Sequence, residues 1–302
     1  MSGISTNRTN ITVPTEVAQE ILQKTQQGSA VMRLARQVKL PGNGLTIPVI
    51  TGDPEAAWVA EPDAKPVSNP GLGTKLMQGY MLSVIVPFSN QFRRDAATLY
   101  DALISRLPRA LGLKFDQTVI GAVAKPGENF DNFALCTTQS LVAAGSHTAY
   151  KGLVAAYEDI AAHNGSLNGF AMSPAGIGLL LGATDTTGRP IFTASAGDGD
   201  VARVLGARTV EARGMYKAGA APVGTGAGTP AIVGVAGDWS QAMYGTVEGV
   251  QIRFADQTGL TINSEQVNLW EHNMFAVRAE IELGFRADTN CFNLLTGATP
   301  QA

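Results

Sequence analysis

Residues 98–121 read TLYDALISRLPRALGLKFDQTVIG and carry the strongest helical pattern in the chain. Apolar side chains recur there at every fourth position, namely Leu99, Leu103, Leu107, Leu111, Phe115 and Val119. On a helix of 3.6 residues per turn this row forms one apolar stripe that drifts slowly round the axis. It therefore predicts a helix over 95–121 with the stripe in the core. Pro108 removes a backbone hydrogen bond and clashes with the preceding turn, so we expect a kink there.

On the amino-terminal side of this helix, residues 44–90 have a β pattern. Apolar residues alternate from Leu45 to Val49, a polar tip rich in Pro, Gly, Asp and Asn follows, and residues 75–89 read as a return strand. Two strands with so long a connection predict an extended hairpin. Because an isolated hairpin is only marginally stable in water, it must lie on its own core or on a neighbouring subunit.

The first 43 residues contain a short predicted helix capped by Thr15, with Val17, Ile21 and Leu22 on one side. Basic residues outnumber acidic ones here. They are Arg8, Lys24, Arg33, Arg36 and Lys39, against Glu16 and Glu20. Two interpretations stay open, a segment that lies near nucleic acid and a set of solvated helix-face charges.

Beyond the long helix, residues 123–240 have the pattern of an inserted α/β unit. A helix is predicted over 149–164 with Leu153, Tyr157 and Ile160 inward, and another begins at Ser173 as cap with Pro174 at its first position. The last 60 residues return to β structure. Apolar residues alternate from Phe275 to Phe285 and predict a long half-buried strand, whose polar face carries Arg278, Glu280 and Glu282.

Composition excludes several classes of protein. The 302 residues include 22 Lys and Arg against 25 Asp and Glu, and charged residues make up 16%, well below the ~25% of ordinary soluble domains. A hydrophobic fraction of 45% excludes intrinsic disorder, and the near-neutral charge argues against a protein that coats nucleic acid. The low charge hints that much of the surface meets other protein. No signal peptide or membrane-spanning stretch is visible.

Residues with catalytic chemistry do not form a recognisable constellation. The three histidines are scattered without metal-ligand spacing, and Cys136 and Cys291 are interpreted as buried reduced thiols. Residues 224–228 resemble a dinucleotide loop but lack the strand and helix that would frame it. We therefore expect no cofactor, no metal and no ordinary enzymatic activity.

The order of the segments resembles the major capsid protein of tailed double-stranded DNA phages, the Hong Kong 97 type. The likeness covers nearly the whole chain and depends on shared order rather than on one motif. The segments that carry it are AEPDAKP (60–66) as the loop tip, 98–121 as the spine helix, NGFAMSP (168–174) and TGRPIF (187–192) in the axial domain, GDWSQA (237–242) with 249–252 at the return, and NMFAVRAE (273–280) in the terminal strand.

The resemblance implies an α+β fold with four parts. They are an amino-terminal arm (1–43), an extended loop hairpin (44–90), a peripheral domain with the spine helix (91–122 and 241–302) and an inserted axial domain (123–240). It implies a non-enzymatic subunit that self-assembles into hexamers and pentamers of an icosahedral shell. The implied partners are other copies of the chain, a portal protein and packaged double-stranded DNA on the inner face, with a decoration protein left open. No membrane is involved.

The implied location is the virion capsid, after assembly in the host cytoplasm. Some relatives carry a scaffolding segment before the arm. This chain starts nearly at the arm, which implies a separate scaffolding protein unless the sequence is an already processed form.

Some members of that family cross-link themselves through an isopeptide bond. A loop lysine attacks a side-chain amide of a neighbouring subunit, and a glutamate from a third accepts the proton. By segment match these would be Lys65, Asn273 and Glu280. A lysine is nucleophilic only when neutral, so assembly would have to bury it. In the alternative interpretation Lys65 is a charge at the loop tip or an ion-pair partner, and Glu280 pairs with a cation of the Arg278 type on a neighbouring subunit.

Two other functions remain as alternatives. An encapsulin, a nanocompartment shell of the same fold, would begin with a cargo-docking helix where this chain has a polar arm. A metabolic enzyme with an α/β domain would need a convergent polar site, and no such site is recognisable.

Overall fold

The computed structural model describes residues 15–50, 58–59, 72–91, 96–142, 148–184, 187–192, 203–222, 228–262 and 265–300. The helices are α1 (Thr15–Gly28), α2 (Ala30–Leu34), α3 (Ala96–Val119), α4 (Ala149–Ala162) and α5 (Pro174–Leu181). The strands are β1 (Arg36–Lys39), β2 (Leu45–Ile50), β3 (Leu72–Met77), β4 (Tyr80–Ser89), β5 (Thr137–Ser140), β6 (Gly169–Met172), β7 (Arg203–Val204), β8 (Ala207–Glu211), β9 (Ile232–Gly237), β10 (Ala242–Thr246), β11 (Gln251–Ala255), β12 (Gly259–Ile262), β13 (Glu265–Asn268), β14 (Met274–Ala287) and β15 (Phe292–Thr296).

A five-stranded sheet is built around β14. This strand pairs antiparallel with β4 along one edge and with β11 and β10 along the other, and β1 adds parallel to β10. The alternating side chains from Phe275 to Phe285 are buried, so the predicted long strand is confirmed. Burial on one face sets the register, because a shift by one residue would expose the whole apolar row.

The long helix α3 packs on the buried face of this sheet. Leu107, Leu111, Phe115 and Val119 are buried, which confirms the predicted stripe where side chains are described; those of Leu99 and Leu103 lie outside that part. The Phe115 ring meets the Phe285 ring edge-on at 6.3 Å. The helix continues through Pro108, and the kink stays a prediction.

A six-stranded sheet in the order β5-β15-β9-β6-β8-β7 forms the second layer. Helices α4 and α5 cover one of its faces and enclose a separate apolar core. The predicted inward position of Tyr157 is wrong, since its side chain is 51% exposed and Ala156 is buried instead. The cause is close packing, because a Cβ at Gly152 would collide with the Ser140 carbonyl. The face of α4 that contains Gly152 and Ala156 therefore packs on β5, and Tyr157 lies away from it.

The chain passes directly from one sheet to the other at Asp238, between β9 and β10, and at Asp288, between β14 and β15. Each aspartate accepts a hydrogen bond from a backbone N–H two residues later and caps a short 3-10 turn. The N–H of Asp238 donates to the carbonyl of Cys291 (3.0 Å), and the N–H of Asp288 donates to that of Gln241 (3.2 Å). The two crossings are therefore hydrogen-bonded side by side.

The domain limits stay a prediction. The last strand, β15, ends the predicted peripheral segment 241–302 and yet lies in the six-stranded sheet.

The hairpin and the amino-terminal helix are also present. Strands β2 and β3 pair antiparallel, as predicted, and α1 contains the expected helix. The single return strand predicted over 75–89 is wrong, because β3 ends at Met77 and β4 begins at Tyr80. Between these strands, a Cβ at Gly79 would lie 2.7 Å from the Val247 side chain, so a larger residue here would displace Val247. The tip, including Lys65, lies outside the described residues.

Candidate functional site

The face of the five-stranded sheet opposite α3 is open within the subunit. Side chains of β14 on this side alternate with the buried row, and the register places Met81 of β4 opposite Glu282 and Ile85 opposite Arg278. Met81 and Ile85 are 63% and 47% exposed. We call Met81, Ile85, Arg278, Glu280 and Glu282 the open sheet face. Arg278, Glu280 and Glu282 lie on the side of β14 opposite the buried row, which confirms the predicted polar face of this strand.

Glu280 lies in the middle of the open sheet face. Its carboxylate is 3.1 Å from Nε of Arg278, and its side chain is 14% exposed. Ser83 and Gln251 flank it in register on the neighbouring strands. Glu280 therefore has a cation partner within its own subunit. Pairing with a cation of a neighbouring subunit and the role of proton acceptor both stay predictions.

Asn273 lies in the turn just before β14. Its φ of 53° is in the left-handed region, which asparagine tolerates better than most residues. The side-chain amide of Asn90 donates to Oδ1 of Asn273 (2.8 Å), and the N–H of Asn90 donates to its backbone carbonyl (3.0 Å). A donor at this oxygen is chemically suited to stabilise negative charge if the amide carbon is attacked.

Two of the predicted site residues, Asn273 and Glu280, do not meet within one subunit. Asn273 and Glu280 are seven residues apart along an extended strand, a separation of roughly 23 Å. Lys65 lies outside the described residues. If the three act on one bond, they must come from different subunits.

Sequence reasoning missed a buried carboxylate on α3, Asp116. It accepts hydrogen bonds from the hydroxyl of Ser29 (2.5 Å) and from the N–H groups of Ala30 (3.0 Å) and Val31 (3.3 Å). Burial raises the pKa of Asp116 to about 7, and the hydrogen bond from Ser29 opposes that rise. The one available signal was an aspartate directly beside the apolar stripe, next to Phe115.

A buried arginine, Arg286 on β14, was also missed. Its guanidinium donates to the carbonyl of Leu76 (2.8 and 2.6 Å) and to carboxylate oxygen Oδ1 of Asp131 (2.7 Å). It also donates to the side-chain oxygen of Asn129 at 3.1 Å. Arg286 therefore joins the end of β3, at the base of the hairpin, to the central sheet.

Other chemistry is sparse. The described part of the chain contains no group of three His, Cys, Asp or Glu side chains placed to bind a metal ion. No helix among the described residues is long and apolar enough to cross a membrane. Burial raises the pKa of the Cys136 thiol to about 12 and also raises the pKa of Cys291, with Asp288 adding to both shifts. Thiols of this kind are poor nucleophiles.

A family model described as the phage capsid family matches residues 9–291. The chain belongs to the phage capsid family. Two relatives, each named "Probable major capsid protein gp17", come from Mycobacterium phages L5 and D29. They are 27% identical over 296 residues and 25% identical over 292 residues. Both matches cover 93% of this chain and 88% of the relative.

Solved structures agree with the family match. A chain of Mycobacterium phage Adephagia superimposes with a TM-score of 0.69 at 21% identity, over 91% of this chain and 92% of that one. A chain described as "Capsid of empty GTA particle computed with C5 symmetry" gives a TM-score of 0.62 at 16% identity, over 90% and 97%. The predicted α+β capsid fold of the Hong Kong 97 type is confirmed. A phage capsid protein is favoured over an encapsulin and over a metabolic enzyme.

Proposed function

We propose that this protein is the major subunit of an icosahedral shell, arranged in hexamers and pentamers, that encloses a double-stranded DNA phage genome. The observation that carries the proposal is the match of residues 9–291 to the phage capsid family. The proposed location is the virion, after assembly in the host cytoplasm, and the proposed partners beside other copies are a portal protein, a separate scaffolding protein and the genome.

The surface of the subunit supports this proposal. The hairpin strands β2 and β3 form a two-stranded sheet of their own, and Trp58, which lies between them in sequence, is fully exposed. Trp270, in the turn before β14, is also largely exposed. Large aromatic side chains are enriched in protein–protein interfaces, so these positions fit surfaces that a neighbouring subunit covers.

Electron microscopy and light scattering of the expressed protein, with and without its scaffolding protein, test the proposal. The expected result is closed shells or rings of subunits. A compact monomer under every condition would overturn it.

We further propose that assembled subunits form the isopeptide cross-link. The neutral amine of Lys65 attacks Cγ of Asn273 on a neighbouring subunit, the C–N bond of the amide breaks, and ammonia leaves as the new C–N bond forms. Glu280 of a third subunit accepts the proton of the attacking amine and returns it to the departing nitrogen. Asn90 donates to Oδ1 of Asn273 and would stabilise the charge that develops there.

The cross-link is tested by boiling assembled particles in denaturant before electrophoresis. We expect a ladder of covalent multimers for the natural chain and a single 31.5 kDa band for Lys65→Arg, which keeps the charge but not the amine. Asn90→Ala should slow the appearance of the ladder. A single monomer band from fully assembled natural particles would contradict the cross-link and leave the shell proposal intact.

A further inference from the structure

The long helix α3 carries a group of exposed cations. On the outward side of α3, away from the apolar stripe, Arg106, Arg109 and Lys114 are exposed. Over residues 106–119 the only carboxylate is Asp116, which is buried and points at Ser29. Eight residues of helix place the three cations along about 12 Å of the axis.

The basic surface continues from α3 onto the neighbouring elements. Gly214 lies directly against α3, where a Cβ would be 2.9 Å from the Leu113 carbonyl, so exposed Arg213 borders the helix. On β8, Val210 belongs to the same apolar core as α3. Arg208 is two residues before Val210 and therefore lies on the same side of the strand. Exposed Arg33 lies on α2, which packs between β8 and α3.

We call Arg33, Arg106, Arg109, Lys114, Arg208 and Arg213 the basic helical face. Among the described side chains, none of the six has a carboxylate within 4.0 Å. Glu211 follows Val210 on β8 and faces the opposite side. Glu158 and Asp159 lie on α4, which covers that opposite side. The carboxylates Glu280 and Glu282 lie on the open sheet face.

The pairing of β7 with β8 adds a second observation. Arg203 and Arg208 are directly opposite each other in register, and both are exposed. Two like charges in this position destabilise a sheet unless an anion lies between them. Arg253 and Arg278 are also opposite each other, on β11 and β14, but Glu280 lies 3.1 Å from Arg278 there. Among the described side chains no carboxylate lies within 4.0 Å of Arg203 or Arg208, which suits a surface that binds an anionic partner.

We propose that the basic helical face binds the phosphate backbone of double-stranded DNA without reading its sequence, and that this face lines the interior of the shell. The inference rests on the proposed function for its setting. Arginine and lysine side chains spread over several elements suit a repeating anionic polymer, because each neutralised phosphate releases counterions. The chain as a whole carries a net charge of −3, so its overall charge does not favour DNA binding, and attraction to DNA requires a local group of cations such as this face.

Binding of a 30-base-pair duplex to unassembled full-length subunits, followed by fluorescence anisotropy at several salt concentrations, tests the proposal. The variant is Arg106→Gln with Arg109→Gln. The matched control is Lys151→Gln with Arg253→Gln, which removes two exposed cations from α4 and β11. We expect the variant to lose about tenfold or more in affinity and its salt slope to fall by roughly two, with less than a twofold change in the control.

Several outcomes would overturn the proposal. They are no binding by the natural chain at low salt, equal losses in variant and control, or binding of polyglutamate in preference to DNA, which would assign the face to an acidic protein. Circular dichroism checks that each variant folds, and Lys114→Gln with Arg213→Gln serves as a second pair. Electron microscopy of the same samples keeps the two proposals separate, because absence of shells contradicts the proposed function whereas loss of duplex binding does not.

Discussion

The amino-terminal helices and the hairpin are both joined to the body of the subunit by one buried ionisable side chain, but the two contacts differ in charge balance. Asp116 on α3 accepts from the N–H groups that open α2, whereas Arg286 on β14 donates to the carbonyl near the end of β3. Arg286 has a carboxylate partner in Asp131 at 2.7 Å. Asp116 has only neutral donors, from Ser29 and the helix backbone.

This difference has a physical consequence. A buried charge without a counter-charge favours its neutral form, so protons are bound more tightly by Asp116 in the folded state than in the unfolded chain. A buried ion pair is instead sensitive to the loss of either partner, because the remaining charge is left uncompensated. We call the hydrogen bonds of Asp116 to Ser29 and α2 the arm contact, and those of Arg286 to Asp131 and Leu76 the hairpin contact. The stability supplied by the arm contact should therefore depend on pH, and that supplied by the hairpin contact should be lost when either charged partner is replaced.

The largest effect is expected at the hairpin contact. Arg286→Met leaves the half-buried Asp131 without its cation and the Leu76 carbonyl without its donor, so the free energy of unfolding should fall by about 3 kcal/mol. Urea unfolding of the unassembled subunit, followed by the emission of buried Trp239, measures the change. Arg286→Met combined with Asp131→Leu should recover a large part of the loss. An exposed control, Arg253→Gln, should change stability by less than about 0.5 kcal/mol. Equal losses in the single and double variants would show that the pair is not the cause.

The next effect is the pH response of the arm contact. The pKa of Asp116 is raised from 3.8 to about 7 in the folded state. Its contribution to stability is therefore fully present below pH 3.8 and is lost as pH rises through about 7. Between pH 5 and pH 8 this amounts to about 2–3 kcal/mol. Asp116→Asn should remove that slope in urea unfolding, while Glu158→Gln, an exposed control, should keep it. An unchanged slope in Asp116→Asn would assign the pH response to another group.

The smallest effect distinguishes the two serine caps. Ser29→Ala removes a donor to Asp116 and the cap of α2, so stability should fall by about 1 kcal/mol and the pH range of the loss should shift upward. Ser173→Ala removes the cap of α5, whose hydroxyl donates to the Val233 carbonyl rather than to a carboxylate. It should cost a similar free energy with no shift in pH. An equal shift in the pH midpoint of the stability loss for both variants would contradict a specific role of Ser29 at Asp116.

Periodic patterns of apolar residues predicted burial correctly where one element has one continuous buried side. The stripe of α3 and the alternation of β14 are local signals, and the structure confirms both. The predicted inward position of Tyr157 is wrong because Gly152 lets α4 approach β5 closely. A pattern of large apolar residues contains no information about such a close approach. The single return strand over 75–89 is wrong because β3 pairs with β2 whereas β4 pairs with β14, and no local pattern shows this change of partner.

By itself the sequence determined the long helix α3, the long strand β14, the order of segments that resembles a phage capsid protein, and the residues proposed for a cross-link. Only the tertiary structure decided that Asp116 meets Ser29, 87 residues away, and that Arg286 meets the backbone of Leu76, 210 residues away. It also decided that cations from α2, α3 and β8 share one face and that Asn90 donates a hydrogen bond to the side chain of Asn273. The physical reason is that periodicity reports which side of an element is buried, whereas the partner of a charged or small side chain depends on how distant segments pack.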